Sequence, residues 1–83
     1  MGGDRPDLAG LMIEAHRVAV ALDGVTTRDG LKAKAAALRD GSRVHSELLD
    51  YRATIKMTMT ENSMLQNALD LIRARLRFFG ESV

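Results

Sequence analysis

The most regular pattern of apolar residues is a seam with heptad spacing over residues 44–79. Its positions step by four and three residues alternately, so all of them fall on one side of a helix. Nine of its eleven positions are apolar, and the seam comprises Val44, Leu48, Tyr51, Ile55, Thr58, Asn62, Leu65, Leu69, Ile72, Leu76 and Phe79. We therefore predict one long helix here, with a polar layer at its two polar positions.

A second, shorter apolar stripe predicts a helix over about residues 8–22. The stripe comprises Leu8, Leu11, Met12, Ala15, Ala19 and Leu22. Gly24 follows as a stop signal, because glycine adopts the left-handed conformation of a helix end without strain. Ile13, Val18 and Val20 lie outside the stripe, so the helix is apolar around more than half of its circumference. We expect it to be buried on two sides.

Between these patterns, residues 23–30 are predicted to form a connection. The alanine-rich run that follows favours a helix, so the predicted helical arm covers about residues 31–79. Gly41 predicts a kink or short break near residues 40–42, because glycine costs about 1 kcal/mol in a helix interior.

A second break, near residues 58–63, is the alternative to a continuous arm. Thr58 and Glu61 have the spacing of a capping box, in which each residue's side chain binds the other's backbone N–H at a helix start. The unbroken phase of the seam favours the continuous helix instead.

The length of the arm predicts how the chain covers its apolar seam. Thirty-six helical residues at 1.5 Å each form a rod of about 54 Å, and the first helix spans only about 22 Å. The seam therefore needs residues from the rest of the arm, a second copy or another protein. We predict a single all-α domain over residues 1–83, with a short N-terminal helix and a long arm that form an antiparallel helical hairpin or bundle in an oligomer.

Composition narrows the classes of function. The 83 residues contain no cysteine, and 12 basic residues nearly balance 11 acidic ones for a net charge of +1. This balance argues against direct nucleic-acid binding. No uncharged stretch approaches the ~18–20 residues of a transmembrane helix, and we expect a cytoplasmic protein.

No pattern of reactive side chains points to catalysis, a cofactor or a metal site. His16 and His45 lack partners at the spacing of metal ligands, and we predict that both lie on the surface. No serine has the context of a nucleophile elbow, and no glycine-rich loop precedes Lys-Ser or Lys-Thr. We therefore predict no enzyme, no cofactor and no metal.

The C-terminal part carries a family resemblance. Residues 62–72 read Asn-Ser-Met-Leu-Gln-Asn-Ala-Leu-Asp-Leu-Ile, and Phe79-Gly80 follows. This stretch resembles the C-terminal helix of flagellar export chaperones of the FlgN type, which has an Asn-containing patch, an aliphatic pair and an aromatic-glycine end. The resemblance implies a helical hairpin that holds unfolded hook–filament junction proteins before export. It marks three residues as client contacts, Asn62, Leu65 and Leu69.

The predicted function is a non-catalytic protein–protein interaction module, such as an export chaperone or small adaptor. Its partner is another protein, a second copy in a homodimer, or both, bound through the seam of residues 44–79. The predicted contact residues are Leu48, Tyr51, Ile55, Asn62, Leu65, Leu69, Ile72, Leu76 and Phe79.

Two other classes of function remain open. A small homo-oligomeric all-helical enzyme would enclose a polar interface pocket lined by Arg52, Lys56 or Arg73. A transcription or assembly regulator would act through a protein partner and would reach DNA only with that partner. Arginines at positions 73, 75 and 77 either favour the helix dipole electrostatically or, with the adjacent phenylalanines, form a tip that docks an acidic partner or a membrane.

Overall fold

The chain is all-helical over the residues that the computed structural model describes, which are 8–25 and 30–83. These residues form α1 (Leu8–Gly24), α2 (Gly30–Thr54) and α3 (Met59–Phe78). Each helix packs against both of the others, and no strand occurs in this part of the chain. The all-α prediction is confirmed, with three packed helices in place of a short helix and one long arm. Half of the predicted connection, residues 26–29, lies outside the described residues.

The prediction of one continuous helix through the seam is wrong. α2 ends at Thr54, and α3 begins at Met59, five residues later, directly after its N-cap Thr58. The Thr58 hydroxyl accepts from the Glu61 N–H at 3.1 Å, and the Glu61 carboxylate accepts from the Thr58 N–H at 2.9 Å. This capping box satisfies backbone donors that a continuous helix would pair internally. It therefore stabilises a new helix start within the seam.

α2 and α3 run in opposite directions along their shared interface. Arg52, near the end of α2, donates to Gln66, early in α3, at 3.2 Å. His45, earlier in α2, accepts from Arg73, late in α3, at 3.0 Å. The seam is thus folded back on itself, and its two halves face each other.

α1 and α3 run in the same direction. Met12 of α1 and Met64 of α3, both early in their helices, line one cavity. Asp23, at the end of α1, binds Arg75, near the end of α3, with both of its carboxylate oxygens at 3.0 Å. The connection through α2 allows this arrangement, because α2 carries the chain back to the starting end.

The core lies along the axis where the three helices meet. It holds residues from every helix: Leu8, Ala15, Val18, Ala19, Leu22, Ala37, Val44, Leu48, Tyr51, Leu65, Ala68, Leu69, Ile72 and Leu76. The aliphatic seam residues among them are fully buried. Each such side chain contributes about 1.5–3 kcal/mol of burial, so the seam supplies much of the stability of the fold.

α2 continues through Gly41 without the short break that was one of the two outcomes predicted for residues 40–42. This residue is buried. A Cβ added here would lie 3.0 Å from Leu76 Cδ2 and 3.4 Å from Leu22 Cδ1. The glycine therefore lets α2 approach α1 and α3 closely, and its role is in packing.

The left-handed glycine predicted at the end of the first helix occurs at the end of α3 instead. Gly24 is the last residue of α1 and has no positive φ, whereas Gly80 has φ 90°. The Gly80 N–H donates to the Arg77 carbonyl at 2.9 Å and the Glu81 N–H to the Leu76 carbonyl at 3.0 Å. This pair of bonds is a Schellman motif, which satisfies the last carbonyls of a helix.

Candidate partner-binding surfaces

The nine predicted contact residues fall into three environments. Six of them are buried in the core: Leu48, Tyr51, Leu65, Leu69, Ile72 and Leu76. Ile55 and Phe79 are half-buried and pack against the core, and Asn62 is exposed. A partner could reach the six buried side chains only after the helices separate, so the surfaces open to a partner in this fold are elsewhere.

One such surface is a groove between α1 and α3, which we call the apolar groove. It comprises two cavities of about 380 and 440 Å³ that share no lining residue. The smaller is lined by residues that include Met12, His16, Met64, Asn67 and Leu71, and the larger by residues that include Val25, Ala74, Phe78 and the ion pair of Asp23 and Arg75. Three of the α3 residues, Met64, Leu71 and Phe78, are spaced by seven and therefore follow one line along the helix. The α3 side of the groove is thus a second apolar line, separate from the seam.

The outer side of α1 extends this apolar surface. Two of the three apolar residues outside the α1 stripe are exposed: Ile13 is 70% exposed and Val20 is 58% exposed. Val18 is buried against α2 near Gly41. The expected burial of α1 on two sides is therefore incomplete, because Ile13 and Val20 remain uncovered next to the groove.

The contact between α1 and α2 is charged at its surface. Arg43 of α2 binds Glu14 of α1 and Glu47 of its own helix, each at 3.2 Å, and Arg17 also pairs with Glu14. The hydrogen bond from Arg43 lowers the pKa of Glu14 more than partial burial raises it. These exposed pairs contribute little to stability individually, but they neutralise this side of the molecule.

The opposite side, between α2 and α3, carries positive charge. We call it the basic face and define it by Lys34, His45, Arg52, Arg73 and Arg77. His45 is 8% exposed, which contradicts the surface position predicted for it, whereas His16 is exposed as predicted. Lys34 lies over the Phe79 ring, 5.5 Å from its centroid.

His45 is held as a neutral acceptor on this face. Its Nε2 accepts from Arg73 Nε, which requires that Nε2 carry no proton. Burial lowers the pKa of His45, and the positive charges of Arg73, Arg52 and Arg77 lower it further. The imidazole therefore positions Arg73 without neutralising its charge.

The described residues contain neither a metal-binding cluster nor a helix suited to a bilayer. Within residues 8–25 and 30–83, no three His, Asp or Glu side chains lie close enough together to hold a metal ion. No helix of this part of the chain is long and apolar enough to cross a membrane. Arg52 and Arg73, named for the enzyme alternative, lie on the basic face.

Sequence patterns indicated residues of both open surfaces but did not place them. The line of Met64, Leu71 and Phe78 has heptad spacing, but it has only three positions, and the eleven-position seam was the more regular pattern on the same helix. The charges of the basic face belong to different helices, so their proximity depends on how the chain folds back. Comparisons with protein-family models, curated proteins and solved structures found no match for this chain.

Proposed function

We propose that this chain is a non-catalytic protein–protein interaction module that holds one amphipathic helix of another protein in the apolar groove. The observation that carries the proposal is the line of Met64, Leu71 and Phe78 beside α1, which is exposed at both ends and half-buried at Leu71. Met64 is 44% exposed and Phe78 is 84% exposed. Exposed apolar residues in a continuous patch typically mark an interaction site.

The size of the groove favours a single helix as its occupant. Fourteen residues separate Met64 from Phe78, which corresponds to a length of about 21 Å at 1.5 Å per residue. Two helices of about 10 Å diameter give a face of roughly 400 Å², half of the ~800 Å² per partner of a typical stable dimer. A single amphipathic helix laid between α1 and α3 uses this area fully, as in other helix-in-groove complexes.

The resemblance to flagellar export chaperones specifies a narrower version of this proposal. In that version the occupant is a helical segment of an unfolded client that the chain holds before export. Of the three residues marked by the resemblance, Leu65 and Leu69 are buried in the core and Asn62 is exposed, and none of them lines the groove.

The test is binding of a designed, uncharged amphipathic helix of leucine, alanine and glutamine. We expect Met64→Glu to weaken binding at least about tenfold, because it places a charge against an apolar partner. Met59→Glu makes the same chemical change on the same helix at a residue that is 89% exposed and does not line the groove. This control should bind like the parent chain, and fluorescence anisotropy measures both.

Two results would contradict the proposed occupant. Equal weakening by Met59→Glu and Met64→Glu would mean that the peptide adheres without using the groove. A parent chain that doubles its mass in sedimentation, and that Met64→Glu returns to a monomer, would make a second copy the occupant.

A further inference from the structure

The arginines that contact other side chains differ in the charge of their partners. One group of arginines lies on α1 or forms an ion pair with it, and each member binds a carboxylate within 3.2 Å. This group comprises Arg17, Arg43 and Arg75. Two arginines of the basic face, Arg52 and Arg73, donate instead to the neutral acceptors Gln66 Oε1 and His45 Nε2. Neither has a carboxylate partner among the described residues, so the positive charge of this pair is not neutralised.

Arg73 is the most constrained of these side chains. It is half-buried, and its Nε is bound to the buried imidazole of His45. Its terminal nitrogens make no hydrogen bond to any described residue. A guanidinium fixed in this way presents two parallel N–H groups that match the two oxygens of a carboxylate.

From this arrangement we infer that the basic face binds an acidic helical segment of a partner protein, with carboxylates on Arg52 and Arg73. Charge complementarity selects the partner, because an unneutralised positive pair attracts a negatively charged segment and repels a positive one. Gln66, which accepts from Arg52, lies seven residues before Arg73 on α3, or about two helical turns, so a helix with glutamates at matching intervals can reach both arginines.

The face suits an acidic protein segment better than a nucleic acid. Asp70, which accepts from Gln66 at 3.0 Å, lies between Gln66 and Arg73 on α3. It would repel a phosphate chain, which carries a charge at every nucleotide, whereas an acidic helix can place an uncharged residue opposite it. The face offers no free aromatic ring for base stacking within the described residues, since Lys34 covers Phe79. Leu38 and Leu49, at helical spacing from His45, are half-buried and can contact the apolar side of an amphipathic helix.

The probe for this inference is a helical peptide of alanine and leucine with glutamate at every fourth position, beside a peptide with glutamine in those places. We expect the parent chain to bind the glutamate peptide at least about tenfold more tightly than the glutamine peptide, and this preference to shrink at high salt. The double variant Arg52→Gln/Arg73→Gln should lose the preference.

A matched control removes the same charge from elsewhere. Lys32 and Arg39 are exposed on α2 and form none of the contacts of the basic face. Lys32→Gln/Arg39→Gln should therefore keep the preference for the glutamate peptide to within about twofold, since distant surface charges are screened. Circular dichroism of both double variants verifies that they are folded.

Two outcomes would overturn the inference. Equal loss of affinity in the two double variants would show that only net charge matters. A single-stranded oligothymidine that binds the parent chain as tightly as the glutamate peptide would show that the face attracts any polyanion. The basic face and the apolar groove lie on different sides of α3, so neither result affects the test with the uncharged peptide.

Discussion

At the scale of single residues, His45 links stability to pH. Its pKa is lowered from the ordinary value of 6.5 by burial and by Arg73, Arg52 and Arg77. The unfolded chain therefore binds more protons than the folded chain between the two pKa values of this residue, and stability rises with pH in that window. The contribution is complete above the unfolded pKa and is lost as the pH falls from about 6.5 toward the folded pKa.

We predict that the free energy of unfolding falls between pH 7.5 and 5.5 and that His45→Gln reduces this fall. Glutamine can still accept from Arg73 Nε, but it does not titrate in this range. Urea unfolding followed by circular dichroism measures the effect. His16→Gln, a change at an exposed residue of α1, is the control. An unchanged pH profile in His45→Gln would mean that this imidazole does not supply the linkage.

At the scale of elements, the start of α3 decides whether the seam is one helix or two. We predict that Thr58→Ala lowers the free energy of unfolding by about 1 kcal/mol, within the 0.5–2 kcal/mol typical of lost N-caps. Thr60→Ala, two residues later and also exposed, should be neutral or slightly stabilising, because alanine is the better helix former. Equal effects of the two changes would contradict a specific role for the cap.

The seam explains how much of the fold could be predicted from sequence. Its spacing correctly identifies residues such as Leu48 and Leu69 as members of an apolar helix face. The same spacing is produced by a continuous rod and by two helices folded on each other, because each half keeps its own core-facing stripe. The capping box of Thr58 and Glu61 carried the missing information, but a local hydrogen-bond pattern is weaker evidence in sequence than a long periodicity.

Glycine shows a similar ambiguity. A glycine within a helical pattern predicts a kink or break because of its low helix propensity, and this argument gives the prediction at Gly41. Gly41 is instead retained inside α2, where Leu22 and Leu76 approach it. Only the packing of three helices around this residue shows why it is glycine, and that packing is not visible in one sequence.

At the scale of the whole molecule, the fold removes the reason for which oligomerisation was predicted, which was to cover the apolar seam. The predicted homodimer rested on a seam that one short helix could not cover. The chain now covers most of the seam with its own three helices, so its stability should not depend on association. We predict that helicity and Tm stay constant when the chain is diluted about a hundredfold, since only stability coupled to association depends on concentration.

Circular dichroism melts at several concentrations, with sedimentation on the same samples, measure this independence. Leu69→Ala provides the comparison, because it should lower stability by about 2–5 kcal/mol at every concentration, as expected for a cavity in a core. A Tm that rises with concentration in the parent chain would instead tie folding to self-association.

The two candidate surfaces depend on how the three helices pack. The sequence indicated the types of residue that form them, but not where on the molecule these residues lie. The apolar excess of α1 and the arginines near the C-terminus were both visible as patterns. Their assignment required the directions of the helices: Arg75 reaches Asp23 on α1, while Arg73 reaches His45 on α2. Neighbouring arginines thus serve opposite sides of the molecule.

The shared direction of α1 and α3 has a practical consequence for measuring motion. The start of α1 and the end of α3 lie at opposite ends of the bundle, separated by about the 30 Å of a 20-residue helix. Since the chain has no cysteine, Ala9→Cys/Glu81→Cys would carry a unique pair of dyes at exposed positions. Energy transfer between the two dyes reports the distance between the start of α1 and the end of α3. This distance would stay constant if a partner helix binds in the groove and would change if the partner displaces α1.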